Sequence, residues 1–153
     1  MDMSITSSAF DDQEMIPAKY TGDGQDVSPP LSWTGVPEDA DSLALICHDP
    51  DAPGGDWVHW VAYDMPADLK GLQEDFPQTE VVEGKALQGV NDFGNSGYGG
   101  PTPPPGSPHR YVFTLYAVDG KTGLQPGATR DEVAAAIDGN VIAEGQLVGL
   151  YQR

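Results

Sequence analysis

Basic residues are scarce in this sequence of 153 residues. Lysine and arginine together number 7 against 24 aspartates and glutamates, which gives a formal net charge of −17 at pH 7. A surface with this charge repels phosphate backbones and anionic head groups, so we expect no nucleic-acid partner and no binding to anionic membranes. Concentrated salt screens such repulsion within the protein, and we therefore expect a halophilic protein with a solvated acidic surface.

Long apolar runs and paired cysteines are also missing. The apolar runs are too short to cross a bilayer, which predicts no insertion into a membrane. Cys47 is the only cysteine, so no internal disulfide can form, and the stretch from Met1 to Phe10 lacks the basic and apolar regions of a signal peptide. These features favour the reducing cytoplasm. The length predicts one domain, residues 1–153, large enough to bury a core without disulfides or metal.

Short apolar segments separated by turn residues predict a mostly β protein. Prolines at positions 29, 30 and 37 exclude a helix in the turn-rich region between residues 20 and 41. Four segments have the composition or alternation of strands: Ser42–His48, Trp57–Met65, Tyr111–Val118 and Val141–Tyr151. In the second of these, period-2 alternation predicts His59, Val61 and Tyr63 on one face.

One helix is indicated near the end of the chain. Thr129 and Glu132 have the spacing of a capping box, in which each side chain bonds the backbone N–H of the other residue. The helix is expected to continue to Ile137 and to stop at Gly139. Together with the strands, it predicts an antiparallel β-sandwich with one or two short helices.

The stretch from Asn91 to Pro108 is made mainly of glycine, proline, asparagine and serine. Such long loops are uncommon in compact domains unless they are functional or disordered. Glycine N–H groups can approach a ligand closely, and prolines hold a loop at low entropic cost. Because the stretch leads through His109-Arg110-Tyr111 into a predicted buried strand, we expect it to form the wall of a small-molecule pocket.

All three histidines of the chain lie in or beside two loops, with further polar residues: His48, Asp49, Asp51 and His59 at the first, and Asn91, His109, Arg110 and Tyr111 at the second. Three kinds of site fit these residues. A hydrolase would need an activated nucleophile, but Cys47 lies in an apolar run and no serine has a nucleophile-elbow context. A metal site is open, although no tight ligand spacing is present. An anion site, with imidazoles, a tyrosine hydroxyl and glycine N–H groups as donors, is the leading interpretation.

These segments resemble the signatures of the phosphatidylethanolamine-binding proteins. The first signature is D-P-D-A-P at 49–53 with W-V-H-W at 57–60, and the second is G-G-P-T-P-P at 99–104 with H-R-Y-V-F at 109–113. S-P-P-L-S-W at 28–33 and A-E-G-Q-L-V-G-L-Y at 143–151 are similar to the bacterial and archaeal, Raf-kinase-inhibitor-like branch. The resemblance covers essentially the whole chain in order.

The resemblance implies an antiparallel β-sandwich with a small pocket for phosphate, acetate or a phosphoethanolamine head group. Carried over by position, the ligand-binding residues would be Asp49, Asp51, His59, Gly99, Gly100, Pro101, His109 and Tyr111. We expect no cofactor, no metal and no catalysis, and a regulatory or inhibitory role. The alternatives are a small-substrate hydrolase or isomerase and an interaction scaffold with a vestigial pocket. An unidentified protein partner and a homodimer stay open.

Two finer expectations concern the backbone and the pocket. A tight reversal before Gly54-Gly55 predicts a cis bond between Ala52 and Pro53. In the pocket, Asp49 and Asp51 are expected to orient the imidazole rings. Anion affinity should then rise as the pH falls through the histidine range, near about 6.5 for a free side chain. Because the sequence stops at Arg153, we also expect no additional C-terminal helix of the animal type.

Overall fold

The computed structural model describes residues 3–153, which form two β-sheets and a short helix. The strands are β1 (Ser4–Thr6), β2 (Glu14–Met15), β3 (Leu31–Thr34), β4 (Ser42–Asp49), β5 (Trp57–Pro66), β6 (Gly71–Leu72), β7 (Val81–Val82), β8 (Ala86–Gln88), β9 (His109–Val118) and β10 (Val141–Tyr151). Helix α1 spans Arg130–Ile137, and a 3₁₀ turn spans Ala18–Tyr20. The expected mostly β sandwich is confirmed.

Long apolar strands occupy the centre of the larger sheet, in the order β2-β10-β9-β4-β5-β8-β7. The smaller sheet has the order β1-β3-β6. Pairing is antiparallel except between β10 and β2. All four predicted strands are present, each within two residues of its expected bounds, whereas the short strands lacked a sequence signal.

The core lies mainly between the two sheets. Leu43, Leu45 and Cys47 of β4 point into it, where they join residues of the smaller sheet such as Trp33. The intervening Ala44 and Ile46 point to the opposite face, which Val133 of α1 helps to cover. Both faces of β4 are therefore buried, which explains its continuous apolar run.

The predicted capping box of α1 is present. The Thr129 hydroxyl accepts from the Glu132 N–H at 3.2 Å, and the Glu132 carboxylate accepts from the Thr129 N–H at 2.9 Å. The helix ends before Gly139, whose φ of 81° is the left-handed conformation common after a helix terminus. In residues 3–153, no helix has the length and hydropathy needed to cross a bilayer.

A β-bulge in β5 corrects the predicted orientation of His59. Cys47 pairs with Trp60 while His48 pairs with Val58, so His59 is an extra residue on its strand. Val58 consequently lies in the same cluster as Val61 and Tyr63, on the face away from His59. The prediction that His59 shares a face with Val61 and Tyr63 is wrong, because one inserted residue reverses the alternation.

The expected cis bond before Pro53 is also wrong, since residues 3–153 contain no cis peptide bond. The chain reverses instead through Gly54 and Gly55, with φ values of 81° and 119°. These backbone conformations suit glycine and complete the turn without a cis proline.

Candidate functional site

The main candidate site is a cavity of about 280 Å³ at one end of the central strands. Strand β4 ends at Asp49, whereas β5 begins at Trp57 and β9 begins at His109. Because β4 is antiparallel to both neighbours, these three residues meet at the same end of the sheet. The lining residues are Asp49, Ala52, Pro53, Trp57, His59, Phe93, Thr102, Pro103, Pro104, His109 and Tyr111.

A buried carboxylate fixes the ring of His109. The Nδ1 atom of His109 lies 2.7 Å from Oδ2 of Asp49, and both side chains are nearly inaccessible to solvent. The other carboxylate oxygen of Asp49 accepts the backbone N–H of Asp51 at 2.7 Å. Since a carboxylate accepts only, Nδ1 of His109 carries the proton and Nε2 is the remaining ring nitrogen. Asp49 therefore orients a ring, as expected.

A backbone carbonyl fixes His59 in the same way. Its Nδ1–H donates to the Gly99 carbonyl at 2.5 Å, and its ring meets that of Tyr111 edge-on with centroids 5.1 Å apart. Every fully buried side-chain nitrogen or oxygen in the described chain has a partner. Three atoms have no hydrogen-bond partner among residues 3–153: Nε2 of His59, Nε2 of His109 and the hydroxyl oxygen of Tyr111. Because a fully buried atom would have a partner, these three atoms must be accessible, and the cavity that their residues line provides this access.

Burial sets the protonation states of two of these groups. It lowers the pKa of His59 below its ordinary value, although the Gly99 carbonyl and nearby carboxylates oppose the shift. Burial also raises the pKa of Tyr111, and the negative charge of Asp49 adds to this effect. At neutral pH, Tyr111 is a hydroxyl donor, and His59 is held toward its neutral form.

Apolar side chains form the rim and walls of the cavity. The rings of Trp57 and Phe93, which are 37% and 38% exposed, meet edge-on with centroids 5.5 Å apart. Pro53 stands on one wall and Pro103 and Pro104 stand on another. The sequence prediction omitted Phe93; the one signal that could have indicated it is a large aromatic residue within the glycine-rich loop.

Asp51 has a different role from the one expected. Both of its carboxylate oxygens are 2.9 Å from the guanidinium of Arg110, and Oδ2 also accepts the Arg110 backbone N–H. This pairing lowers the pKa of Asp51 to about 2. Asp51 does not line the cavity and orients no ring; it ties the loop that carries Pro53 to the start of β9.

The N–H groups of Gly99 and Gly100, which were expected as ligand donors, have partners within the protein. The Gly99 N–H donates to the His59 carbonyl at 2.9 Å, and the Gly100 N–H donates to the Asp26 carboxylate at 2.7 Å. Neither glycine nor Pro101 lines the cavity. A Cβ on Gly100 would lie 2.5 Å from the Tyr20 carbonyl oxygen, so this glycine is required by close packing.

The other polar residues of the two loops lie outside the cavity. His48 pairs with Asp56 at 2.5 Å, and Arg130 joins the same carboxylate at 2.9 Å. Asn91 is buried and holds its loop by accepting from the N–H groups of Phe93 and Asn95. Within residues 3–153, no three side chains among His, Cys, Asp and Glu converge as metal ligands would.

Known proteins resemble this chain in both sequence and fold. The family described as phosphatidylethanolamine-binding protein matches residues 6–152. The chain belongs to this family. A UPF0098 protein of Methanothermobacter thermautotrophicus is 50% identical over 99% of both chains, and one of Aquifex aeolicus is 46% identical over 99% of this chain and 89% of its own.

Two solved structures of family members superpose closely. A phosphatidylethanolamine-binding protein homolog from Chlamydia trachomatis has a TM-score of 0.90 and 38% identity, covering 99% of this chain and 98% of its own. YbcL of E. coli, a member of the mammalian family, has a TM-score of 0.91 and 32% identity, covering 100% and 99%. The predicted family, of bacterial and archaeal type, is therefore confirmed.

Proposed function

We propose that the cavity binds a small anion, phosphate or a phosphorylated head group, without converting it, and that the protein acts as a regulatory or inhibitory module. The observation that carries this proposal is the convergence of three polar groups in one cavity. They are Nε2 of His59, Nε2 of His109 and the hydroxyl of Tyr111, and none has a partner within the described chain. The apolar rim would contact the organic part of such a ligand.

Proton uptake is expected to accompany binding. With Nδ1–H committed to Gly99 or Asp49, a neutral ring presents a lone pair at Nε2 and repels an anion. A protonated ring presents an N–H donor there, and the Asp49 carboxylate stabilises the charge on His109. Anion affinity should therefore rise as the pH falls, and the contribution of His59 should come below the ordinary histidine range because burial lowers its pKa.

The lining of the cavity favours binding over covalent chemistry. It contains no serine or cysteine, and Thr102, which is exposed, is its one aliphatic hydroxyl. Cys47 is fully buried in the core, where burial raises the pKa of its thiol. A nucleophile needs an adjacent base and access to substrate, and Cys47 has no such access.

Calorimetric titration with inorganic phosphate and O-phosphoethanolamine at pH 5.5 and 7.5 tests the proposal. His109→Ala removes a charge-assisted hydrogen bond, so we expect roughly ten- to a hundredfold weaker binding at pH 5.5 and a preserved fold. His48→Ala is the matched control, because His48 also pairs with an aspartate but lies outside the cavity. Tight, acid-sensitive zinc binding without any phosphate signal would refute the proposal in favour of a metal site.

A second candidate function is a small-substrate hydrolase or isomerase. The Asp49–His109 pair favours it, since a carboxylate on Nδ1 and an accessible Nε2 are the arrangement of a general base. A panel of phosphate esters, carboxylic esters and peptides decides between the two functions. Turnover that His109→Ala abolishes and His48→Ala preserves would identify an enzyme.

The remaining proposals concern the surface charge, the cellular location and the partners of the protein. Its net charge of −17 supports an acidic, salt-adapted surface in a salt-rich cytoplasm and argues against nucleic-acid partners. A regulatory role implies a protein partner, which pull-down with and without phosphate would test. Sedimentation at several protein concentrations would decide whether the chain forms a homodimer.

A further inference from the structure

One wall of the cavity is a flap, residues 102–105, whose sequence is Thr-Pro-Pro-Pro. Thr102, Pro103 and Pro104 line the cavity. No hydrogen bond joins these four residues to the rest of the described chain, although groups just before and just after them are bonded. The position of the flap therefore depends on its two anchors, on the packing of Pro103, which is buried, and on the stiffness of its prolines.

The first anchor is Pro101, whose carbonyl accepts the Gly22 N–H at 2.9 Å. The second is Gly106, whose carbonyl accepts the Gln152 side-chain amide at 2.6 Å and whose N–H donates to the Arg153 carbonyl at 3.3 Å. The anchoring groups come from two segments that are far apart in sequence.

A forked ion pair joins these two segments. Nη2 of Arg153 lies 2.8 Å from one carboxylate oxygen of Asp23, and its Nε lies 3.2 Å from both oxygens. The Tyr151 hydroxyl donates to the same carboxylate at 2.7 Å. Asp23 directly follows Gly22, and Gln152 and Arg153 bond to Gly106, so the pair links the two segments that carry the anchors.

We infer that the Asp23–Arg153 pair is a latch, a positioning element that holds the 102–105 flap against the cavity and so selects ligands with an organic group. The inference rests on the proposed anion-binding function. The flap is a side wall of prolines, whereas the polar groups belong to His59, His109 and Tyr111. Loosening the flap should therefore weaken contact with the organic part of a ligand more than contact with the anionic group.

The solvent exposure of the Asp23–Arg153 pair determines how much ligand affinity is lost when the pair is broken and how this loss depends on salt. The side chains of Arg153 and Asp23 are 35% and 37% exposed, and solvent screening keeps the contribution of such a pair small. We therefore expect Asp23→Asn and Arg153→Gln to weaken phenyl phosphate binding by about two- to fivefold, with inorganic phosphate changed by less than about twofold. Molar KCl should weaken phenyl phosphate binding to the native protein toward the level of the variants.

The experiment compares the two ligands by calorimetry for the native protein, Asp23→Asn, Arg153→Gln and a control. Asp131→Asn is the matched control, because it removes a carboxylate from another exposed arginine pair, Arg130–Asp131, without touching the cavity. Amide hydrogen exchange of Gly22 and Gly106, measured without ligand, reports the anchors directly. Exchange should accelerate in both latch variants and stay unchanged in the control.

An unchanged ratio of phenyl phosphate to phosphate affinity in Asp23→Asn would overturn the selectivity, and unchanged exchange at Gly22 and Gly106 would overturn the latch. A native protein that bound neither compound would refute the proposed function and the selectivity together. In that case accelerated exchange in the variants would still support the latch.

Discussion

Replacing Asp49 by asparagine should weaken the pH dependence of anion binding and leave the shape of the site intact. One oxygen of Asp49 accepts the Asp51 N–H, and the other faces Nδ1 of His109. In Asp49→Asn the carbonyl oxygen must take the contact with Asp51, because a backbone N–H can pair only with an acceptor. The amide NH₂ then faces Nδ1 of His109, which must accept, and the proton moves to Nε2.

This tautomer change predicts opposite effects at two pH values. At pH 7.5 the variant presents a neutral Nε2–H donor and has lost a negative charge near the anion, so its affinity should equal or exceed that of the native protein. Under the proposed binding mode, the native protein at pH 5.5 offers a charged N–H donor on a ring that the Asp49 carboxylate holds. A hydrogen bond to a charged group is worth about 1.5–3 kcal/mol and a neutral one about 0.5–1.5, so the variant should bind roughly five- to tenfold more weakly.

Calorimetry with phosphate at both pH values measures the effect, and sulfate, whose charge is constant over this range, separates titration of the protein from titration of the ligand. Asp56→Asn is the matched control, because Asp56 pairs with Nδ1 of His48 outside the cavity. Urea unfolding checks that the variant is folded.

A steep rise in sulfate affinity on acidification of Asp49→Asn, equal to that of the native protein, would refute the reasoning. It would mean that the binding proton is taken up elsewhere, with His59 as the next candidate. A loss of affinity at both pH values in the folded variant would instead show that Asp49 contacts the ligand directly.

Three further predictions concern stability. If the acidic surface is adapted to salt, the melting temperature should rise between low and molar KCl, and a flat or falling value would contradict this. Gly100→Ala should cost about 1–3 kcal/mol in urea unfolding, because the new Cβ meets Asp26 at 2.4 Å and backbone at 2.5 Å; Gly99→Ala, which meets the exposed Phe93 ring, should cost less. Thr129→Ala should cost about 1 kcal/mol through loss of the helix cap, and an unchanged urea midpoint would contradict the role of the cap.

The predictions that succeeded depend on signals contained in a few neighbouring residues. The buried strands β4 and β9 follow from continuous apolar runs, and the cap of α1 follows from the spacing of Thr129 and Glu132. The two-residue strands were not predicted from the sequence, because their pairing depends on partners that are distant in the chain, as for β2 beside β10. The cis bond at Pro53 was wrong because two glycines after it already supply the reversal.

By itself, the sequence determined the family, the main strands and the helix cap, and it singled out His59, His109 and Tyr111 as candidate site residues. These properties follow from periodicity, turn chemistry and motifs, which are local. Only the tertiary structure decided the partner of each group, because a partner depends on strand register and on contacts between distant segments. Three features depend on such contacts: the bulge that turns His59 into the cavity, the pairing of Asp51 with Arg110 and the position of Phe93 at the rim. One residue of register or one competing hydrogen-bond donor would change each of them without altering any local signal.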